Sequence, residues 1–171
     1  MKKPAGIACA IILLSLICAG CTIPMGGLEV GRKAPSFSLM DLNGRQVTLD
    51  QFKGSVVMLD FWATWCTPCR QSMPALESLQ KEFQDKLSLL AINLRESPED
   101  VKSYVKLKNI QSIVLLDVDG SVGQIYRSDS IPMQVLVDQQ GVVRHVQIGY
   151  APSVQQQLRA EISKLLRTPP G

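Results

Sequence analysis

Two cysteines, Cys66 and Cys69, stand two residues apart in Trp65-Cys66-Thr67-Pro68-Cys69. Thiols at that spacing can close a small disulfide ring and open it again, which is the chemistry of dithiol exchange. The run before them, Val56-Val57-Met58-Leu59-Asp60-Phe61-Trp62, is apolar enough for a buried strand. The run after them, Arg70 to Leu79, reads as a helix. The pair therefore falls at a strand-to-helix junction, where unpaired backbone N–H groups and the helix dipole favour a thiolate.

The N-terminus decides how many other thiols the mature chain keeps. Lys2 and Lys3 form a short positive region, followed by an apolar stretch from Ile7 to Ala19 that is too short to span a bilayer comfortably. This is the pattern of an export leader covering residues 1–20. Its end, Cys18-Ala19-Gly20-Cys21, resembles the lipobox of bacterial lipoproteins, which implies cleavage before Cys21 and a lipid on its sulfur. Cys18 departs from the usual Leu of that motif, and an ordinary cleaved leader with a chance cysteine has similar small residues. Cleavage and lipidation leave Cys66 and Cys69 as the remaining thiols, so no disulfide framework is available to the domain. A ring as small as theirs restrains little of the unfolded chain, which makes a structural staple a poor explanation. Half of a zinc site is a poor one too. Two more ligands are needed, and the chain has one histidine.

Losing Lys2 and Lys3 takes the formal net charge from +3 to +1, since residues 1–20 contain no acid. No basic run or aromatic-interleaved basic patch points to nucleic acid. Thr22 to Gly31, with Pro24, Gly26, Gly27 and Gly31, reads as a flexible tether, so residues 21–31 are the lipidated cysteine and its linker. Residues 32–171 then form one domain of a size that supports a full core.

Within that domain Ser36–Met40 and Gln46–Leu49 flank Asn43-Gly44, a strong hairpin signal. After the buried strand and the post-cysteine helix, which runs to about Asp85, Leu87–Asn93 is a second apolar strand. Ser97-Pro98-Glu99-Asp100 opens a helix to about Lys108, with a cap, Pro at the first position and acids in the first turn. Ile113–Leu116 is a short strand and Val122–Tyr126 a brief helix. Met133–Asp138 and Val142–Ile148 read as a hairpin. An amphipathic helix from Pro152 or Ser153 to Leu166 carries Val154, Leu158, Ile162, Leu165 and Leu166 on one stripe. The order implies an α/β fold, a mixed central sheet with helices on both faces and an added N-terminal β-hairpin.

Leu59-Asp60-Phe61-Trp62-Ala63-Thr64-Trp65-Cys66-Thr67-Pro68-Cys69-Arg70, with Pro74 further on, resembles the thioredoxin superfamily. Ile131-Pro132 before an apolar strand resembles that family's cis-proline segment. The lead-in from Gly31 to Leu39, then Asp41-Leu42-Asn43-Gly44, is similar to the membrane-tethered, TlpA/ResA-like branch, as is Ala91-Ile92-Asn93 through Glu96. The lead-in is also shared with peroxiredoxins. The resemblance implies a thioredoxin fold and a thiol–disulfide oxidoreductase that carries its own redox-active disulfide, Cys66–Cys69, and needs no other cofactor or metal. Its implied partners are disulfides or dithiols of exported proteins and a thiol electron carrier in the membrane.

Cys66 is expected to attack, being nearest solvent at the helix N-terminus, and the deeper Cys69 to resolve the mixed disulfide. Asp60 is an acid inside an apolar strand. The resemblance puts it behind Cys69 as the acceptor of its proton; the alternative is a strand-end acid facing solvent. Trp65, Thr67, Pro68, Ile131 and Pro132 are expected to contact substrate. Trp62 suits either the site or the core. The tethered branch often has an acid three residues after the second cysteine, and here that residue is Ser72, which weakens an assignment to cytochrome maturation. Glu96 reads either as a feature of the branch or as a solvated acid before a helix. His145 reads as a surface residue, and Asp117-Val118-Asp119-Gly120 as a turn.

Three other functions remain open at this stage. An oxidase has the same fold and a different redox potential. A peroxiredoxin-like peroxidase needs Thr three residues before its cysteine, and Thr64 is only two before Cys66. A redox-inactive binding module has no need of two intact cysteines.

Overall fold

The computed structural model describes residues 28–167, so the expected leader, the lipidation at Cys21 and the first part of the tether lie outside them. The elements in chain order are β1 (Ser38–Asp41), β2 (Gln46–Thr48), β3 (Val56–Trp62), α1 (Thr67–Phe83), β4 (Leu87–Leu94), α2 (Pro98–Lys108), β5 (Ile113–Asp117), α3 (Ser121–Ile125), β6 (Met133–Val137), β7 (Val143–Ile148) and α4 (Pro152–Arg167). The strands form one mixed sheet in the order β2-β1-β5-β4-β3-β6-β7. β3 runs parallel to β4, from Val56 opposite Leu87 to Trp62 opposite Asn93, and antiparallel to β6 on its other side. Being central and covered on both faces, β3 is buried at every position, as its run of apolar residues, broken only by Asp60, requires.

Alternation along β3 divides the core in two. Val57, Leu59 and Phe61 pack with Phe37 and Leu39 of the lead-in and with Val122 and Tyr126 at α3. Val56 and Met58 pack under α1 and α4, against Leu76, Leu79, Leu158 and Ile162. Trp62, on that same face, packs with Cys69, Met73 and Val101, joining α1 to α2. Helices thus cover both faces, α1, α2 and α4 on one and α3 on the other. Leu79, Leu158 and Ile162 are fully buried, and each such side chain stabilises the fold by about 1.5–3 kcal/mol.

Both hairpin turns use one chemistry. Asp41 Oδ1 accepts from the backbone N–H of Asn43 and Arg45, and Gly44 takes the left-handed conformation at φ 76°. In the β6–β7 turn Asp138 Oδ1 accepts from Gln140 and Val142, and Gly141 has φ 78°. α2 starts as expected: Ser97 Oγ accepts from the Asp100 N–H at 3.1 Å, and Pro98 occupies the first turn.

The tether ends earlier than its composition implies. Leu28 packs on the core, and the Gly31 N–H donates to the Val143 carbonyl at 2.8 Å. An apolar side chain and free backbone groups beside the edge strand β7 draw residues 28–31 onto the domain. They join it at the Val143 end of β7. The other end of that strand, Ile148, lies opposite Met133, next to Pro132. Among the described residues, no helix is long and apolar enough to cross a membrane.

Candidate active site

The central strand β3 ends at Trp62, and the turn Ala63–Trp65 delivers the chain to Cys66, the N-cap of α1. Cys66 and Cys69 are joined in a disulfide. Cys66 Sγ accepts the Cys69 N–H at 3.2 Å, a bond that a thiolate at the same place would strengthen. Cys66 keeps 4 % exposure and Cys69 none, so a partner sulfur can approach only Cys66. Pro68 lies in the first turn of α1, where its missing N–H costs nothing. Thr67 and Pro68 are both exposed beside the ring.

The expected surroundings converge on this point. Trp65 stands 69 % exposed before Cys66. Trp62 is core, 1 % exposed. The Ile131–Pro132 peptide bond is cis, with Pro132 buried and Ile131 half-buried against the cluster that contains both cysteines. Two cavities flank the disulfide. One, of about 530 Å³, opens between α1 and α2 beside Cys69, Met73 and Tyr104. The other, of about 440 Å³, lies between Trp65, Arg95, Asp129 and Ile131.

Asp60 is fully buried on the face of β3 that α1 covers, which removes the solvent-facing alternative. Burial pushes its carboxyl up from 3.8 to about 7, against the opposing pull of a 2.7 Å hydrogen bond from Gln134 Nε2 to Oδ1. Asp60 Oδ2 has no hydrogen-bond partner among the described residues. A carboxyl near half-ionised at neutral pH is well matched to passing a proton. Ser72 is also buried, and its hydroxyl donates to the Cys69 carbonyl at 2.9 Å.

One of the two readings of Glu96 falls, one expectation needs correction, and one residue was missed. Glu96 is not a solvated acid: it accepts from the Thr64 N–H (2.7 Å), the Thr64 hydroxyl (2.5 Å) and Asn93 Nδ2 (2.7 Å), and so ties the turn before Cys66 to the end of β4. His145 is half-buried opposite Leu136, with Nε2 enclosed, because it shares the face of β7 that turns toward the core. Gln134 is a site residue that the sequence pattern does not single out. It is one amide in the apolar run Met133-Gln134-Val135-Leu136-Val137, and only the register sets it opposite Asp60. Asp117, expected in a turn, accepts from the N–H groups of Val122 and Gly123 and so fastens the start of α3. Among the described residues, no group of three or more His, Cys, Asp or Glu side chains is placed to hold a metal ion.

Comparison with known proteins fits this geometry. The AhpC/TSA family profile matches residues 30–146. The chain belongs to the AhpC/TSA family. The thioredoxin-like protein YneN of Bacillus subtilis is 39 % identical over 126 residues, 72 % of this chain and 74 % of that one. The thiol-disulfide oxidoreductase ResA of Bacillus thuringiensis is 34 % identical over 151 residues, 84 % of this chain and 87 % of that one. The crystal structure of a protein described as a DsbE-type thiol:disulfide interchange protein, from Chlorobium tepidum, superposes with a TM-score of 0.77 at 33 % identity, covering 81 % of this chain and 99 % of that one. This chain is a thiol–disulfide oxidoreductase of thioredoxin fold with Cys66–Cys69 as its redox pair. The matched span runs from the lead-in into β7 and includes the Cys66–Cys69 pair. Its Thr64 hydroxyl, two residues before Cys66, is given to Glu96.

Proposed function

We propose that the oxidoreductase is a lipid-anchored reductant of disulfides in exported proteins, held at the membrane through Cys21 and reduced in turn by a thiol carrier there. The observation that carries the direction is Asp60, buried on the cysteine side of the sheet. Negative charge near the pair disfavours a thiolate, and hence the reduced form, which lowers the potential and makes the dithiol a stronger reductant. An oxidase requires the opposite, a stabilised reduced form.

In the first step the Cys66 thiolate attacks a sulfur of the partner's disulfide, forming a mixed disulfide and releasing one partner thiolate. Asp60 Oδ2 then takes the Cys69 proton, and Cys69 attacks Cys66 Sγ. The Cys66–Cys69 bond forms, the bond to the partner breaks, and the second partner thiolate leaves to be protonated by water. Trp65, Thr67, Pro68 and Ile131 frame the sulfur, and cis Pro132 turns the Ile131 backbone toward it for pairing with the partner's main chain. Glu96 holds the turn that aims Cys66. The residues nearest the anchor join the domain at the end of β7 away from Pro132, an arrangement that leaves the disulfide end free for partners.

Equilibration of the pair with defined thiol–disulfide buffers tests the direction. A reductant lies near thioredoxin's potential of about −270 mV, and Asp60→Asn raises it. A value near about −120 mV, that of a strong oxidant, rejects the proposal in favour of an oxidase.

A further inference from the structure

The buried pair Asp60 and Gln134 can share two hydrogen bonds, and the structure shows one. The two residues are directly opposed on β3 and β6 and both are fully buried. One hydrogen bond joins them, Gln134 Nε2 to Asp60 Oδ1. The two atoms left over, Asp60 Oδ2 and Gln134 Oε1, are both buried acceptors with no partner. Two orphaned acceptors on side chains already paired through one bond are costly, and no donor from elsewhere among the described residues reaches either. A single proton on Asp60 Oδ2, given to Gln134 Oε1, satisfies both and closes a two-bond acid–amide pair.

We infer that Gln134 is a positioning residue for the resolving half of the reaction: it fixes Asp60 so that Oδ2 is the atom that receives the Cys69 proton, and its own carbonyl oxygen then holds that proton. This rests on Asp60 as the base. When Asp60 is ionised, the amide N–H steadies the carboxylate through Oδ1. When Cys69 gives up its proton, Oδ2 carries it and Oε1 accepts the hydrogen bond. The Cys69 electron pair goes to Cys66 Sγ, and the partner leaves as thiolate, so the proton stays inside the protein until the new disulfide has formed.

Little else around Asp60 competes for this control. Ala91 of β4 is opposite it, with Asn93 further along the same face, and Asn93 Nδ2 is given to Glu96. On the far side of Gln134, β7 presents Gln147. From α1, Cys69 packs in the cluster that holds Trp62 and Ala91 on this face and is in the disulfide, and the buried Ser72 hydroxyl is given to the Cys69 carbonyl. Burial and the Gln134 bond are the causes that move Asp60, with no charged group among them.

The test follows the rate of mixed-disulfide resolution against pH by stopped flow, in the purified protein with a fluorescent peptide disulfide, for wild type, Gln134→Leu and Asp60→Asn. Leu removes both the donor and the acceptor at similar volume. The lost donor favours the carboxylate and the lost acceptor favours the acid, but the donor's bond to the ionised group is charge-assisted and the stronger of the two, so the midpoint rises by about one unit, cutting resolution about fivefold near about pH 7 and restoring it near about pH 9. Formation of the mixed disulfide by Cys66 stays unchanged. A folded Gln134→Leu variant with an unmoved midpoint, while Asp60→Asn still slows resolution, overturns the role of Gln134 and leaves Asp60 as the base. If Asp60→Asn resolves at the wild-type rate, both fall. Should Gln134→Leu fail to fold, the Gln134 side-chain amide in the native oxidised protein decides by NMR. It must titrate with a midpoint near about 7 and lose that transition in Asp60→Asn. An amide signal flat across that range overturns the inference.

Discussion

Replacing Asp60 with Asn should stabilise the oxidised domain, by an amount that grows with pH. Folding moves the Asp60 carboxyl from 3.8 to about 7, because burial disfavours its charged form. Between those values the folded chain keeps a proton that the unfolded chain has released. The folded state therefore binds more protons, and stability falls as pH rises through this window. Below it both states are protonated and above it both are ionised, so the contribution is level at each end. A shift of about three units, at about 1.36 kcal/mol per unit, amounts to on the order of 4 kcal/mol. The side chain has no exposure to solvent that would screen this. The assay is urea unfolding of oxidised wild type and Asp60→Asn from about pH 4 to about pH 9, taking the difference between the two so that other titrating groups cancel. The variant should gain roughly 4 kcal/mol on wild type across the window and nothing further above about pH 7. A difference that stays constant with pH would show that Asp60 titrates as an ordinary surface acid, and would refute the reasoning from burial.

Glu96→Ala should cost about 1–3 kcal/mol, since it orphans the Thr64 N–H and the Asn93 amide, and should slow both steps of exchange alike; thermal unfolding and stopped flow check the two parts. Trp65→Ala should change stability by less than about 0.5 kcal/mol, given its exposure, yet raise the KM for protein disulfides while sparing small ones. Gly123→Ala should destabilise by about 1–3 kcal/mol, because its new methyl meets Leu94 Cδ2 at 2.8 Å and Ser128 Oγ at 2.9 Å; denaturant unfolding measures it. Intact mass of the membrane-extracted protein should show Cys21 as the first residue, carrying lipid; an unmodified thiol there would remove the anchor from the proposal.

Much of the fold was legible because its signals are local. The apolar run of β3 around Asp60, the Ser97-Pro98 helix start and the stripe from Val154 to Leu165 each follow from periodicity or capping within a few residues. The turns were legible for the same reason, since an Asx side chain and a glycine settle them alone. What escaped depends on partners far apart in sequence. Local sequence cannot choose between the two readings of Glu96, because its partner Thr64 lies 32 residues away. Gln134 lies 74 residues from Asp60, and only the antiparallel register of β3 and β6 makes them a pair. His145 sits between Arg144 and Val146, where polarity alone does not say which face of β7 turns inward. The glycines between residues 26 and 31 signal a flexible segment, and nothing local signals that Leu28 packs on the core.

The division of labour between the two cysteines is tested most directly by trapping. Cys69→Ser and Cys66→Ser variants are each mixed with a protein disulfide, quenched with acid, and analysed by mass spectrometry for covalent complexes. Cys66 is the N-cap thiol with the only exposure of the pair, and Cys69 is closed off behind it. Cys69→Ser should therefore accumulate a mixed disulfide through Cys66 that cannot resolve, while Cys66→Ser accumulates almost none. Equal trapping by both variants, or trapping mainly through Cys69, would contradict the account.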